Sequence, residues 1–331
     1  MDRISSNPFL TPALVRQGAD LRAKLQATTQ EMATGKQADT GATLRGDFGR
    51  LAATDHALAR ISGYTAATSE LTLTASAMQS ALAMISQAAE QLGSNLLSTA
   101  SGLSAPQLAA VTSSGMRDFE TVIAALNTRV SERPVFGGVN SAVAPLPDAQ
   151  SILGALETAI AGVATPEDIS AAVDSWFAGA GYEALYTGGA PVGGIAVAAG
   201  ETASLPFTAL DPAIRETLAG FAKVALLDRG LLAGDHAARA AFALGAGVDL
   251  QSSSDARAVL AGRIGTTEEQ LSRAQARNSA EKSALTLART ALIEADPYEA
   301  TVRLEDLESR LDAFYTITAR LSRLSLTEYL R

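Results

Sequence analysis

The chain has 331 residues, with 26 Lys and Arg against 35 Asp and Glu, a formal net charge of -9 and a pI near 4.9. So acidic a balance, with no cluster of basic residues, argues against a phosphate-clasping face and against nucleic acid as a partner. The absence of cysteine removes disulfides, thiolate metal sites and a cysteine nucleophile together. Hydrophobic residues reach 47% while aromatics stay at 5%, so the excess is alanine and leucine, which suits helix packing better than a sheet sandwich. The length allows two or three domains. No apolar run approaches the ~18–20 residues of a membrane span, so none is expected. The opening MDRISSNPFLTPALVRQGADL lacks the basic, apolar and small-residue order of a cleaved signal peptide.

After Pro8 and Pro12, Leu14, Leu21, Leu25 and Met32 recur at multiples of a heptad and half-heptad, which predicts a helix over 12–34 ended by Gly35. The stretch 33–49, rich in Ser, Thr, Asp and Gly, predicts an irregular loop. A long helix is expected over 47–98. Within it Leu71, Ala75, Met78, Leu82, Ile85, Ala89, Leu92 and Leu96 alternate steps of four and three, a coiled-coil-like seam. Ser104-Ala-Pro-Gln107 reads as a capping box opening a helix that runs to about Glu132.

At Pro134 the character changes. Gly137, Gly138, Pro145 and Pro147 interrupt any helix and place a domain boundary there. Helical segments are expected over 149–163 and 166–177. YEALY from Tyr182, GIAVAA from Gly194 and TASLPFTAL from Thr202 are the strand candidates. Helix resumes at Asp211-Pro212-Ala213 and runs to about Leu227, followed by a short helix over 236–244. The segment 250–294 carries Val259, Ile264, Leu271, Ala274, Asn278, Leu285 and Leu292 near heptad spacing, with a candidate capping box at Thr266–Glu269.

The last helix opens at Asp296, with Pro297 at its first position and Glu299 where a capping-box partner belongs. Leu304, Leu307, Leu311, Phe314, Ile317, Leu321 and Leu324 then fall on one face, and Arg303, Glu305, Glu308, Arg310, Asp312, Arg320 and Arg323 on the other. Such a stripe needs a partner. The expected fold is mainly α: a long antiparallel coiled-coil-like helical bundle of the N- and C-terminal arms, with a small inserted α+β domain. Its divisions are 1–46 as an N-terminal assembly arm and loop, 47–133 with 211–295 as a helical rod, 134–210 as the insert, and 296–331 as a C-terminal assembly helix.

Both ends resemble the bacterial flagellin family. RISSNPFLTPALVRQGADLRAKLQATTQEMATGKQ is similar to that family's opening helix and its ATGK loop, here Ala33-Thr34-Gly35-Lys36, and Phe136-Gly137-Gly138 is similar to its Phe-x-Gly turn. FYTITARLSRLSLTEYL, from Phe314, looks like the terminus of the hook–filament junction class, the third hook-associated proteins. The resemblance covers about the first hundred and last eighty residues. It implies a structural subunit joining hook-associated proteins to the filament and needed for filament assembly and motility. It implies export through the flagellar channel without a cleaved signal, and an extracellular location on the flagellum. The implied partners are further copies of the chain in a ring, a neighbouring hook-associated protein, flagellin and an export chaperone. The seam residues Leu14, Leu21, Leu25, Met32 and Leu304–Leu324 would then be the assembly surface.

No enzyme activity, cofactor or metal is expected. His56 and His236 stand apart without matched acids, and GGAPVGG at 188–194 lacks the Gly-Lys-Ser/Thr ending of a phosphate loop. Glu268/Glu269 and Glu305/Asp306 are adjacent pairs that do not share a helix face. Trp176-Phe177 is expected to anchor the core of the insert. The alternatives are a filament flagellin, and a helical adaptor or signalling protein dimerising through its seams.

Overall fold

A computed structural model describes residues 10–99, 104–140 and 142–329, with side chains described over 12–98, 104–140 and 142–321. Proline and short polar residues set the helix starts. In chain order the elements are α1 (Leu10–Thr34), α2 (Thr40–Thr43), α3 (Gly49–Thr99), α4 (Ala105–Leu126), β1 (Arg129–Val130), β2 (Arg133–Pro134), α5 (Ala149–Ala159), α6 (Pro166–Ala178), α7 (Ala180–Glu183), β3 (Val192–Ala198), β4 (Glu201–Leu205), α8 (Pro212–Asp228), α9 (His236–Ser252), α10 (Ser254–Ile293) and α11 (Pro297–Tyr329). The chain is mainly helical. Asp148, Thr165, Asp211 and Asp235 each accept a backbone N–H from the first turn of α5, α6, α8 and α9, satisfying donors that a helix start leaves orphaned. At α4 the Ser104 N–H donates to Gln107 Oε1 at 2.9 Å.

Contacts divide the chain into two units: residues through Ser62 with those from Ala280, and Gly63–Ser279. The second unit has one continuous core. The heptad positions Leu71 through Leu96 are all buried, and they pack in a cluster with Phe119, Val122 and Leu126 of α4, Leu218, Phe221 and Val224 of α8, and Leu260, Ile264 and Leu271 of α10. Residues 134–210 feed the same cluster through Phe136, Ile152, Phe177, Tyr182, Val197 and Phe207. The antiparallel hairpin β3–β4 pairs Ile195 with Ala203 and Ala198 with Glu201. Its Val197 carbonyl accepts from Asn278 Nδ2 at 2.7 Å and Thr68 Oγ1 at 3.3 Å, which fastens the hairpin to α10 and α3. Close helix approach relies on small residues. A Cβ on Gly115 would lie 2.4 Å from Val224 Cγ1, so α4 and α8 meet there only without a side chain.

Several expectations are corrected. α4 stops at Leu126, not near Glu132, because the chain turns back in a β1–β2 hairpin that pairs Val130 with Arg133. Its two-residue turn puts Ser131 at φ 49° and Glu132 at φ 66°, a left-handed geometry normally marked by glycine or asparagine. YEALY is no strand. It holds the end of α7 and a following turn, because Tyr182 is fully buried with its hydroxyl donating to the Ala209 carbonyl at 3.1 Å, and that burial overrides aromatic strand preference. Burial also pushes the Tyr182 phenol above its ordinary pKa, with the nearby Arg215 charge opposing. β4 ends at Leu205 because Pro206 has no N–H to extend the ladder. α9 runs on to Ser252, and α10 runs unbroken through Thr266–Glu269, so that capping box does not open a helix. Val259 is 64% exposed; Leu260 takes the inward position beside Ile264, Leu271, Ala274 and Asn278. Inside the expected loop 33–49, Asp39 caps the short α2.

Candidate functional site

The terminal unit joins the two ends of the chain. α1 ends where Gly35 takes φ 67° and its N–H donates to the Glu31 carbonyl at 2.8 Å, a left-handed helix stop that suits glycine. The ATGK loop then clasps the α10–α11 junction. The Gln37 N–H donates to the Ile293 carbonyl at 2.8 Å and the Ala295 N–H to the Gly35 carbonyl at 3.1 Å, with Lys36 and Glu294 bridged between them. Glu31 is 6% exposed; its carboxylate accepts the Ala38 N–H at 2.9 Å and pairs with Arg303 at 3.4 Å. Asp296 caps α11 by accepting the Tyr298 N–H at 2.8 Å.

From that clasp α1 and α11 run antiparallel. Glu31 meets Arg303 near one end. Further along, Arg22 donates to the Tyr315 hydroxyl at 3.0 and 3.1 Å, its guanidinium 5.7 Å from the ring centre. Gly18 lies under Phe314, where a Cβ would be 2.9 Å from the ring. The contact is real but shallow. Leu14, Leu21, Leu25, Leu304, Leu307, Leu311 and Phe314 are half-buried on it, and none of them is fully buried. Met32, Ile317 and Leu321 are 44%, 54% and 45% exposed. Leu324 has its backbone in α11, and its side chain lies outside the described residues. Periodicity missed the most covered positions of α1, which are Gly18, Thr28 and Glu31, because none of them is apolar. Their signal was position: Gly18 falls four after Leu14 and three before Leu21, and Thr28 three after Leu25, on the same face.

Cavities lie among the described residues of the second unit. One, of about 510 Å³, is an apolar groove floored by Leu71, Met78, Leu205 and Phe207, with the ion pair of Glu70 and Arg133 on its lining. The other, of about 560 Å³, is lined by the apolar Phe177, Leu210 and Ala219 together with the polar Asp174, Asp249 and Ser253. Two of the carboxylates on its lining, Asp174 and Asp249, are engaged. Lys223, 1% exposed, places Nζ 2.8 Å from Asp174 and 2.6 Å from Asp249, tying α6 and α9 to α8. Trp176 stacks edge-on against the buried Phe177 at 5.0 Å. His56 and His236 are exposed, Glu268 accepts from Ser76, and Asp306 pairs along its own helix with Arg310. Among the described residues no group of three or more His, Asp or Glu is placed to hold a metal, and no helix is long and apolar enough to cross a membrane. No model of a known protein family matches the chain, and no curated protein matches it either.

Proposed function

We propose that the chain is a flagellin-like structural subunit acting at the junction between hook-associated proteins and the flagellar filament, and that its terminal helices form the assembly surface. The observation that carries this reading is a coincidence of place. The segments whose residues resemble the flagellin family at both ends are the segments that pair antiparallel, with an apolar face left half covered. The finer architecture belongs to the same proposal. Residues 1–46 are an N-terminal assembly arm and loop, 47–133 with 211–295 a coiled-coil-like helical rod, 134–210 an inserted α+β domain and 296–331 a C-terminal assembly helix. The partners are copies of the chain in a ring, a neighbouring hook-associated protein, flagellin and an export chaperone, met outside the cell.

Burial of the described seam is incomplete. A fully covered leucine contributes roughly 1.5–3 kcal/mol, while ordering each backbone residue costs roughly 1–2 kcal/mol. Half-covered side chains leave α1 and α11 with a thin margin in a lone subunit. Neighbouring subunits would supply the missing cover, so ordering of the arms is coupled to assembly and the exposed faces stay free for a chaperone beforehand.

The test is genetic and structural together. Deleting the gene should leave flagellin secreted but unpolymerised. Leu311→Asp, on the pairing face, and Leu321→Asp, on the exposed flank, should each abolish filament attachment and motility while the fold of 63–279 persists. Loss of flagellin itself on deletion would favour a filament subunit. Intact flagella would overturn the flagellar reading and favour an adaptor dimerising through its seams.

A further inference from the structure

Among the described residues, a buried cation with two nitrogens left without partners lies in the second unit. Arg257 stands in the first turn of α10, 2% exposed. Its Nη1 donates to the Ser253 hydroxyl at 2.5 Å, to the Leu250 carbonyl at 3.2 Å and to Thr217 Oγ1 at 3.4 Å, so one arm of the guanidinium caps the C-terminal end of α9. Nε and Nη2 are buried and donate to nothing. A buried charged donor left open is costly, and the Nε–Nη2 edge is the side of a guanidinium that takes a carboxylate with two parallel bonds. The carboxylate at hand is on α3. Gly93 brings that helix so close to α9 that a Cβ there would sit 3.3 Å from the Gly247 carbonyl and 3.4 Å from Leu250 Cβ. Glu90 lies one turn before Gly93, exposed at the edge of the buried row Ala89, Leu92, Leu96. Burial lowers the Arg257 pKa, and the Glu90 charge opposes that shift.

We propose that Glu90 and Arg257 form a two-position latch: the Glu90 side chain, turned to water here, swings onto the open Nε–Nη2 edge and fastens α3 to the α9–α10 corner. In the closed position the guanidinium is satisfied on both arms, one holding the α9 terminus and the other α3. Opening returns Glu90 to solvent at the expense of two charge-assisted bonds, so the latch gives this helix crossing two discrete states.

A double-mutant cycle on the full chain tests it. Glu90→Gln should lower Tm by about 2 °C in the natural background and by nothing measurable alongside Arg257→Met. By nuclear magnetic resonance the Arg257 Nε–H should exchange slowly with solvent and shift on Glu90→Gln, a readout that holds even if Arg257→Met does not fold. An unchanged Tm for Glu90→Gln, the same loss in both backgrounds, or an Nε–H resonance indifferent to Glu90 would overturn the latch and leave buried water as the partner.

Discussion

The two units of this molecule are made from the same ingredients and buried to different depths. In Gly63–Ser279 the heptad row from Leu71 to Leu96 is buried throughout, each residue at most 5% exposed, because helices and a hairpin cover it from several sides. In the terminal unit an equally regular row, Leu304 to Leu321, has α1 beside it and stays half-covered or exposed. Regular spacing therefore sets which face is apolar, while the number of neighbouring elements sets what that face is worth. One unit is closed, and the other offers a surface.

The sharpest way to break this contrast is amide hydrogen exchange with limited proteolysis on the dilute protein. Protection should reach the global limit in α3 over 71–96, α4 and α8, and be lower by orders of magnitude in α1 and α11, with early cleavage confined to those arms. Equal protection in both units would remove the contrast and the coupling of arm order to assembly. Next in size are core truncations. Phe119→Ala, at a fully buried site, should cost about 3–5 kcal/mol in denaturant unfolding, and Leu307→Ala, half-buried on α11, less than about 1 kcal/mol. A third test uses the buried ammonium. Asp174→Asn with Asp249→Asn strands Lys223 and should cost about 3 kcal/mol, whereas Lys223→Met, which leaves two partly exposed carboxylates, should be nearly neutral. The smallest effect is a pair of glycine substitutions. Gly115→Ala, crowded at 2.4 Å by a core valine, should cost about 1–3 kcal/mol. Gly18→Ala meets only the movable edge of Phe314, and the gain of about 1 kcal/mol in helix propensity should offset that contact.

The helices were legible because their cues are local. Pro212 after Asp211, Pro166 after Thr165 and the alternating steps from Leu71 name starts and faces without reference to the rest of the chain. The hairpin at 129–134 was not legible, because Ser131 and Glu132 adopt left-handed turn geometry that their side chains do not advertise. YEALY misled because strand preference is a preference for half-buried surfaces, and Tyr182 found a buried pocket at the end of α6 instead. In the terminal pair the apolar half of the seam was visible, but its closest approaches were not. The most covered positions of α1 are a glycine, a threonine and a glutamate, and two of them meet α11, Gly18 under Phe314 and Glu31 beside Arg303.

The chain's single tryptophan, Trp176, sits half-buried against Phe177 and near Tyr182, inside the closed unit. Its fluorescence is thus an optical label already in place for Gly63–Ser279. Emission will redden when that unit melts and stay constant while the arms order or fray. Far-ultraviolet dichroism, which counts helix everywhere, will register both. The separation between the two signals measures, without any added dye, how independently the arms fold.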